Sequence, residues 1–288
     1  MDQVSGRRSG HQAHSEGTSM MSEDIADILR RWPNRPGEHV RKIVDDIGTE
    51  KVQVRITQGA FQGLLQMELE GRPDGLRPYG FKYYLDYYRQ SLSRHIEKHG
   101  SERGFALDEK GCKRLFEESR RIYERYVFLI QIREFGRVVD DTERNMGLFQ
   151  FVHQYASREE DRLALQKWWP YVLRMNAEAK LVPLIEEKRF EPAAAVVRQA
   201  IRRIEGLDSI DAEEFRRERR RSLRYLGDMA RKLRTHVPAE PCERLQQELL
   251  EAIIEEHFER AAEIRDELRE LGGELPKQAL SNLSAVRV

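Results

Sequence analysis

The sequence predicts a mainly α-helical protein of stacked helical hairpins, with a small β-hairpin near the N-terminus and a further helical hairpin near the C-terminus. Three observations carry this prediction. Apolar residues recur at helical spacing over most of the chain after Phe81. Apolar and polar residues alternate in residues 51–57 and again in residues 65–69, which is the period of half-buried strands. One bend sequence also recurs three times between helices.

The N-terminal part divides into a tail and an α+β segment. Residues 1–22 have almost no apolar side chains, so we expect a disordered tail. Residues 23–100 are predicted to hold a short helix that ends at Arg31, a helical or irregular piece at residues 39–47, the two strands and a longer helix. Because a two-stranded ribbon is marginal alone, its apolar face should lie on the helices.

The turn-rich residues 71–80 are a candidate site. One interpretation is a loop that presents Arg72, Asp74 and Arg77 to an anionic ligand or a partner. The other is a structural turn with solvated arginines, which Pro-Asp-Gly favours because it is a strong turn sequence. We prefer the structural turn.

The helix that follows is rich in aromatic residues and carries two histidines. Its tyrosines either stack on nucleobases, as in single-strand binders, or belong to the core, which we favour. His95 and His99 have the i, i+4 spacing that lets two side chains face one metal ion, but no third ligand is evident near them, and no metal site is predicted. The aromatic residues are Phe81, Tyr83, Tyr84, Tyr87 and Tyr88.

Residues 101–237 are predicted to form a helical body. Asp108 has the side chain and position of an N-cap for a long helix. In the next helix, Asp140, Asp141 and Glu143 lie close together near the start. We interpret these acids as groups that complement the helix dipole rather than as metal ligands.

Three bends in the chain share one sequence pattern. Each has charged or polar residues, then Phe, two spacers and two small or β-branched apolar residues that open a helix. This pattern predicts one helical hairpin used three times, with Phe closing each bend, in an architecture similar to that of tetratricopeptide proteins. The bends are at Arg133-Glu134-Phe135, Lys188-Arg189-Phe190 and Glu256-His257-Phe258.

The last helix of the body carries an arginine-rich stretch. These arginines are able to bind phosphates. However, Glu213, Glu214 and Glu218 are interleaved at helical spacing and can pair with them, so a solvated helix is the preferred interpretation. Pro238 and Pro241 are predicted to form the linker that follows. The candidate nucleic-acid-binding residues are Arg216, Arg217, Arg219, Arg220, Arg221 and Arg224.

Residues 242–273 are predicted to form a helical hairpin with a bend at residues 255–257. Neither helix can bury its apolar stripe alone, and neither is long enough to be stable in water by itself. We expect Phe258 to wedge the bend closed and Gly272 and Gly273 to stop the second helix before a tail at residues 274–288. The stripes are Leu245, Leu249, Ala252 and Ile253, and then Phe258, Ala261, Ala262, Arg265 and Leu268.

This hairpin resembles the UVR motif, the helical hairpin of UvrB and UvrC that also occurs in adaptors of bacterial Clp proteases and protein-arginine kinases. The resemblance implies a hairpin that does no chemistry and docks a partner or another such hairpin. Residues 64–79 also resemble a stretch of uncharacterised bacterial UVR-motif proteins. The residues that carry the hairpin resemblance are Leu245, Leu249, Ala252, Phe258, Glu259, Ala261, Ala262, Ile264, Arg265, Asp266, Leu268 and Leu271.

Composition narrows the classes of function. Fifty basic and fifty acidic residues give zero net charge, which argues against binding of nucleic acid by a broad positively charged surface. Cys112 and Cys242 are far apart in the sequence, which favours a reducing compartment and hence the cytoplasm. No apolar run reaches membrane-spanning length, and we find no phosphate-binding glycine loop, dinucleotide fingerprint or recognisable nucleophile.

The sequence therefore predicts a non-enzymatic interaction or adaptor protein without a cofactor, which uses the C-terminal hairpin to bind a partner protein or a second copy of itself. The resemblance suggests excision repair or a protease or kinase complex as the setting. The alternative is a nucleic-acid-binding accessory factor that uses the arginine-rich helix. The candidate partner-binding residues are Leu245, Leu249, Leu250, Ile253, Ile254, Phe258, Arg265 and Asp266.

Overall fold

The computed structural model describes residues 24–33, 35–236, 241–255, 257–271 and 276. The predicted N-terminal tail, the predicted C-terminal tail apart from residue 276, the glycine helix stop and Pro238 of the predicted linker lie outside these ranges. Pro241, predicted as part of that linker, is instead the first residue of a helix. The elements are α1 Ala26–Arg31, β1 Val40–Val44, β2 Glu50–Gln58, β3 Phe61–Glu68, α2 Tyr84–His99, α3 Glu109–Gln131, α4 Phe135–Tyr155, α5 Glu159–Ala164, α6 Trp169–Glu186, α7 Phe190–Glu205, α8 Glu213–Arg234, α9 Pro241–Ile254 and α10 Phe258–Glu270.

Helical hairpins dominate the architecture, as the sequence predicts. The hairpin of α3 and α4 packs on the hairpin of α6 and α7 through α4 and α6, and α8 packs on both α6 and α7. The N-cap of α3 is Asp108, as predicted, and its side chain accepts a hydrogen bond from the backbone N–H of Gly111 at 2.7 Å. None of the helices in the described ranges has both the length and the apolar character needed to cross a membrane.

The three bends that share a sequence pattern also share a backbone geometry. Arg133 and Lys188 occupy the left-handed region, with φ of 63° and 57°. The residue before each Phe has nearly the same φ and ψ, and its N–H donates to the carbonyl five residues earlier. This bond is typical of a Schellman-like helix end, so the backbone supports the predicted repeat. The donor and acceptor residues are Glu134 and Leu129 (3.0 Å), Arg189 and Leu184 (2.8 Å), and His257 and Ala252 (2.8 Å).

The predicted β-hairpin is part of a three-stranded antiparallel sheet in the order β1-β2-β3. The prediction of a helical or irregular piece at residues 39–47 was wrong, because Val40–Val44 is a strand paired along β2. A turn joins the two strands. In it, the Asp45 side chain accepts hydrogen bonds from the N–H groups of Ile47 and Thr49, and Gly48 has a φ of 84°. Glycine at a position with positive φ is a common turn signal.

The apolar face of the sheet lies on the α3–α4 hairpin, as expected for a small ribbon. The side chains of Val52, Val54 and Met67 are buried in one cluster with Ile122 and Leu129 of α3. A separate, larger cluster fills the space between α4, α6, α7 and α8. The sheet is therefore stabilised by the first helical hairpin rather than by its own pairing alone.

A buried arginine joins the sheet to both helices of the first hairpin. The Arg125 guanidinium is 2% exposed and binds the Asp141 carboxylate of α4 in a bidentate manner, at 2.8 and 2.5 Å. Its Nη1 also donates to the carbonyls of Glu68 and Gly71, both at 2.8 Å. Burial acts to lower the pKa of Arg125, but the hydrogen bonds and the charge of Asp141, together with Tyr83, outweigh it, and the net pKa is raised.

The prediction that Asp141 complements a helix dipole was therefore wrong. Asp141 lies past the first turn of α4, which begins at Phe135, and its buried carboxylate is fully engaged by Arg125. The dipole effect falls off within the first turn. An ion pair across the hairpin accounts for this residue better.

Cys112 is expected to resist alkylation in the folded protein. Its side chain is 0% exposed, and burial raises its pKa from 9.0 to about 11. At pH 8 the thiolate population falls about 100-fold through this shift alone. Peptide mass spectrometry after a short iodoacetamide pulse should find Cys112 unmodified in native protein and modified in denaturant. Equal labelling in both states would contradict its burial.

Candidate partner-docking hairpin

The C-terminal hairpin consists of α9 and α10, which are separated by residues 255–257 as predicted. His257 is the N-cap residue of α10, and its side chain makes no capping hydrogen bond. Its ring instead lies 3.4 Å from the Glu255 carboxylate. The bend is thus held by its backbone geometry rather than by a side-chain cap.

The interior of the hairpin is a small apolar cluster from its own two helices. It includes one buried alanine from each helix, Ala252 and Ala261. However, the predicted stripe on α10 was partly wrong. Phe258 is 49% exposed and does not wedge the bend, while Ala262 and Arg265 are half-buried. The residues buried in the cluster are Leu249, Ala252, Ala261, Ile264 and Leu268.

An exposed apolar surface remains at the tip of the hairpin. Ile254, the last residue of α9, is 76% exposed, and Phe258, the first residue of α10, is 49% exposed. Each belongs to the helix end that meets the bend, so the two lie at the same end of the hairpin. We call Ile254 and Phe258 the apolar tip. Large apolar side chains exposed together are typical of a contact surface.

The comparison with protein families decides what this hairpin is. A family model described as the UvrB/uvrC motif matches residues 241–274. The chain contains a UvrB/uvrC motif. The match covers α9, the bend and α10 and does not extend into the helical body. No curated protein and no solved structure gave a significant match to the chain.

Within the UvrB/uvrC motif, the candidate partner-binding residues differ in accessibility. Leu249 is 1% exposed and faces the interior, so it is not available to a partner while the hairpin is formed. Arg265 and Asp266 pair with each other at 2.8 Å, and this pair lowers the pKa of Asp266. Leu245, Leu250 and Ile253 are partly buried against the interior cluster.

Outside the motif, the loop at residues 71–80 proves to be structural. Arg72 is 4% exposed, so neither a solvated arginine nor an arginine presented to a ligand describes it. Its guanidinium binds Asp74 at 3.0 and 2.6 Å and Glu118 of α3 at 3.2 Å. Arg77 is exposed. The prediction of a turn was correct, whereas the solvation of Arg72 was wrong.

Glu118 is a structural residue that the sequence analysis missed. Its carboxylate, 0% exposed, accepts hydrogen bonds from the backbone N–H groups of Tyr84 (2.7 Å) and Leu85 (3.0 Å) at the start of α2. It also binds Arg72. Burial raises the pKa of Glu118 against the opposing effect of these donors. A carboxylate at a helix N-terminus is favourable because it satisfies unpaired N–H groups there.

The two histidines of α2 are not arranged as ligands of a metal ion, and the tyrosines near the start of this helix pack within the protein. The rings of His95 and His99 lie 4.5 Å apart, and His95 Nε2 is 3.1 Å from the Arg103 carbonyl. Among the described residues, no group of three potential ligand side chains is placed to hold a metal ion. Tyr83 is buried and belongs to the sheet cluster, whereas Tyr79 stacks on Tyr87 with ring centres 4.3 Å apart.

The arginine-rich stretch of α8 has mixed surroundings. Arg216 pairs with Asp211 at 2.8 Å, and Arg219 donates to the Glu205 carbonyl at 2.8 Å. The predicted pairing with the interleaved glutamates holds only for Arg217, whose Nε is 3.8 Å from Glu218. Glu214 binds Lys167 instead, at 2.9 Å. In the part of α8 that the structure describes, Arg220, Arg221 and Arg224 are exposed and form no ion pair.

Proposed function

We propose that this protein is a non-enzymatic cytoplasmic adaptor, which docks a partner protein or a second copy of itself through the apolar tip of its UvrB/uvrC motif. The observation that carries the proposal is the exposure of Ile254, at 76%, at the end of a helix whose other apolar residues contribute to the interior cluster of the hairpin. An exposed apolar side chain of this kind stabilises the protein only when another surface covers it, because covering removes its apolar area from water.

The surroundings of the apolar tip suit a protein partner. Arg260 lies within 3.8 Å of Glu248 and 3.0 Å of Glu263, so charged pairs of both signs flank the two helices. An apolar centre with a mixed polar rim is the usual composition of a protein interface. A helical hairpin with this pattern fits either a groove or the apolar tip of another hairpin.

Resemblance to the hairpins of UvrB and UvrC, and to those of protease and kinase adaptors, supports two settings for the proposed docking. These are DNA excision repair and a Clp protease or protein-arginine kinase complex. The two settings differ in the partner that copurifies, so the experiment below separates them. Sedimentation of the purified protein adds the third outcome, self-association.

Replacing Ile254 with glutamate is expected to weaken partner binding by about 30-fold, which is the effect of removing one interface hot spot. Because Ile254 is exposed, the hairpin itself should keep its helicity and thermal midpoint. The matched control is Ile47→Glu, since Ile47 is 88% exposed in the turn between β1 and β2. Native copurification with quantitative mass spectrometry would compare the three proteins.

The proposal predicts a partner, or a dimer in sedimentation, that is lost with Ile254→Glu and kept with Ile47→Glu. Identical partners and identical sedimentation for all three proteins would refute docking through the apolar tip. Loss of the same partner in both variants would show a general effect of added charge and would also count against it.

The alternative function, binding of nucleic acid by α8, is supported by one observation. Arg220 and Arg224 are exposed at i, i+4 on one helix face, and neither forms an ion pair within the described residues. Such a face binds phosphates with an affinity that falls steeply with salt. Gel shifts that show no complex with DNA or RNA at low salt would remove this alternative.

A further inference from the structure

A cavity of about 490 Å³ lies in the helical body. Residues of α3, α4, α6 and α8 line it, together with the short segment before α6. Its volume is in the range of small-molecule sites, roughly 300–1,000 Å³. The UvrB/uvrC motif contributes no residue to its lining. The cavity is therefore a feature that partner docking does not explain.

Two buried hydrogen-bond acceptors line this cavity without donors. Asn145 is 1% exposed; its Nδ2 donates to the Ser119 carbonyl at 3.1 Å, and its Oδ1 accepts no hydrogen bond from the residues that the structure describes. Glu218 is 6% exposed, and among the same residues its Oε2 also has no donor. Buried polar atoms are nearly always hydrogen-bonded in folded proteins. Two free acceptors in one cavity therefore point to an occupant that supplies N–H donors.

Within the described residues, Glu218 forms two long ion pairs. They join Oε1 to Arg217 Nε at 3.8 Å and Oε2 to Arg174 Nη2 at 3.9 Å. Both distances exceed those of a hydrogen bond. Arg174 has other partners, since it contacts the Ser222 hydroxyl at 3.3 Å and the Glu178 carboxylate at 3.7 Å. The carboxylate is thus free to accept a charge-assisted hydrogen bond from a ligand.

The side chains at the walls and the rim of the cavity indicate which other groups the ligand carries. Tyr123, Phe149, Trp168 and Tyr171 present aromatic surface, which favours a flat aromatic ring. Arg221 also lines the cavity, is exposed, and forms no ion pair within the described part of α8. An exposed guanidinium beside an apolar pocket is suited to an anionic group of the ligand.

We propose that this cavity binds a small aromatic molecule that carries N–H donors at one end and an anionic group at the other. The donors face Glu218 and Asn145, the ring lies between the aromatic walls, and the anionic group meets Arg221. A purine nucleotide whose base edge carries adjacent N–H donors, as guanine does, has this chemistry.

Isothermal titration of the full chain with four probes tests the proposal. The probes are guanosine monophosphate, guanosine, adenosine monophosphate and tryptophan. We expect one-to-one binding of guanosine monophosphate and weaker or no binding of tryptophan, whose amino and carboxylate groups share one carbon. Guanosine should bind more weakly than its monophosphate because it lacks the group that meets Arg221. Adenosine monophosphate should bind more weakly because its base edge places an acceptor beside its donor.

Two variants and one control locate the binding. Glu218→Gln should lower the affinity for the bound probe by about 10- to 100-fold, because a charge-assisted hydrogen bond is lost. Arg221→Ala should lower the affinity for an anionic probe. Because Arg221 is exposed, the midpoint of thermal unfolding should stay unchanged. Arg220→Ala is the matched control, since Arg220 is the adjacent exposed arginine of α8 and does not line the cavity.

Several outcomes would overturn the proposal. Failure of guanosine monophosphate to bind would mean that the cavity does not hold a ligand of this kind. Equally tight binding of tryptophan would contradict the proposed arrangement of donors and anionic group. Equal affinity for both nucleotides would contradict the role of the two acceptors. Equal loss of affinity in Arg220→Ala and Arg221→Ala would show nonspecific attraction to α8. If Glu218→Gln fails to fold, the comparison of Arg221→Ala with Arg220→Ala still decides the result.

Discussion

Replacing Arg125 with leucine is expected to lower the free energy of unfolding by about 3–5 kcal/mol, the usual cost of breaking a buried ion pair from one side. The variant leaves the Asp141 carboxylate buried without its partner, and the carbonyls of Glu68 and Gly71 lose their donor. Urea denaturation followed by circular dichroism would measure the change as a lower midpoint at a similar slope.

The control for this prediction is Arg120→Leu on the same helix. Arg120 pairs with Glu124 at 3.0 Å, but its side chain is 79% exposed. Exposed pairs contribute about 0–1 kcal/mol, so the same substitution should have little effect there. Equal destabilisation by the two variants would show that burial of the Arg125 ion pair is not what stabilises the fold.

Replacing Leu268 with alanine is expected to destabilise the UvrB/uvrC motif by about 2–5 kcal/mol, the range for truncation of a fully buried leucine. Leu268 is 0% exposed in an interior cluster that has only a few members. Because the cluster is small, we expect the motif to unfold locally while the helical body remains folded. Hydrogen exchange with mass spectrometry would show lost protection confined to peptides of α9 and α10.

Leu271→Ala provides the matched control, since Leu271 is 55% exposed and closes no part of the cluster. Its exchange pattern should equal that of the unmodified protein. Unchanged protection of the hairpin in Leu268→Ala would contradict the assignment of its interior. Global loss of protection would instead mean that the body and the motif unfold together.

Helical periodicity predicted most of the fold because most of the long helices bury an apolar stripe. The α3 helix shows this well, with Leu115, Ile122 and Leu129 all buried on one face. The recurring Phe bends were also predictable, because a short sequence pattern determines their backbone geometry. Strand β1 escaped detection, since five residues with weak alternation form a strand only when β2 lies beside them.

Buried charges were the main failure of the sequence analysis. Arg125 and Glu118 lie on the same helix face as the apolar residues of α3, and this placement was the available signal. A charged residue on an apolar stripe indicates a partner inside the protein, but the partner of Arg125 comes from another helix, and those of Glu118 lie more than thirty residues away. The sequence alone does not reveal such distant partners.

The cavity residue Glu218 shows the same limitation. In the sequence it lies within an arginine run and was interpreted as a surface partner for those arginines. The structure places it on the buried face of α8 between Phe215 and Ser222. The apolar spacing of α8 includes position 218, so helical phase was a usable signal. The converging acceptor of Asn145, however, comes from α4 and has no local sequence signature.

The contacts of the Glu118 carboxylate limit how parts of this protein can be recombined with other proteins during evolution. It accepts hydrogen bonds from the start of α2 and binds Arg72, so two segments that are distant from it in sequence depend on one side chain of α3. If recombination moved the helical body into another gene without the sheet and the loop, the buried Glu118 carboxylate would lack its partners. The UvrB/uvrC motif, whose apolar cluster is entirely its own, carries no such constraint and is free to be shuffled between unrelated chains.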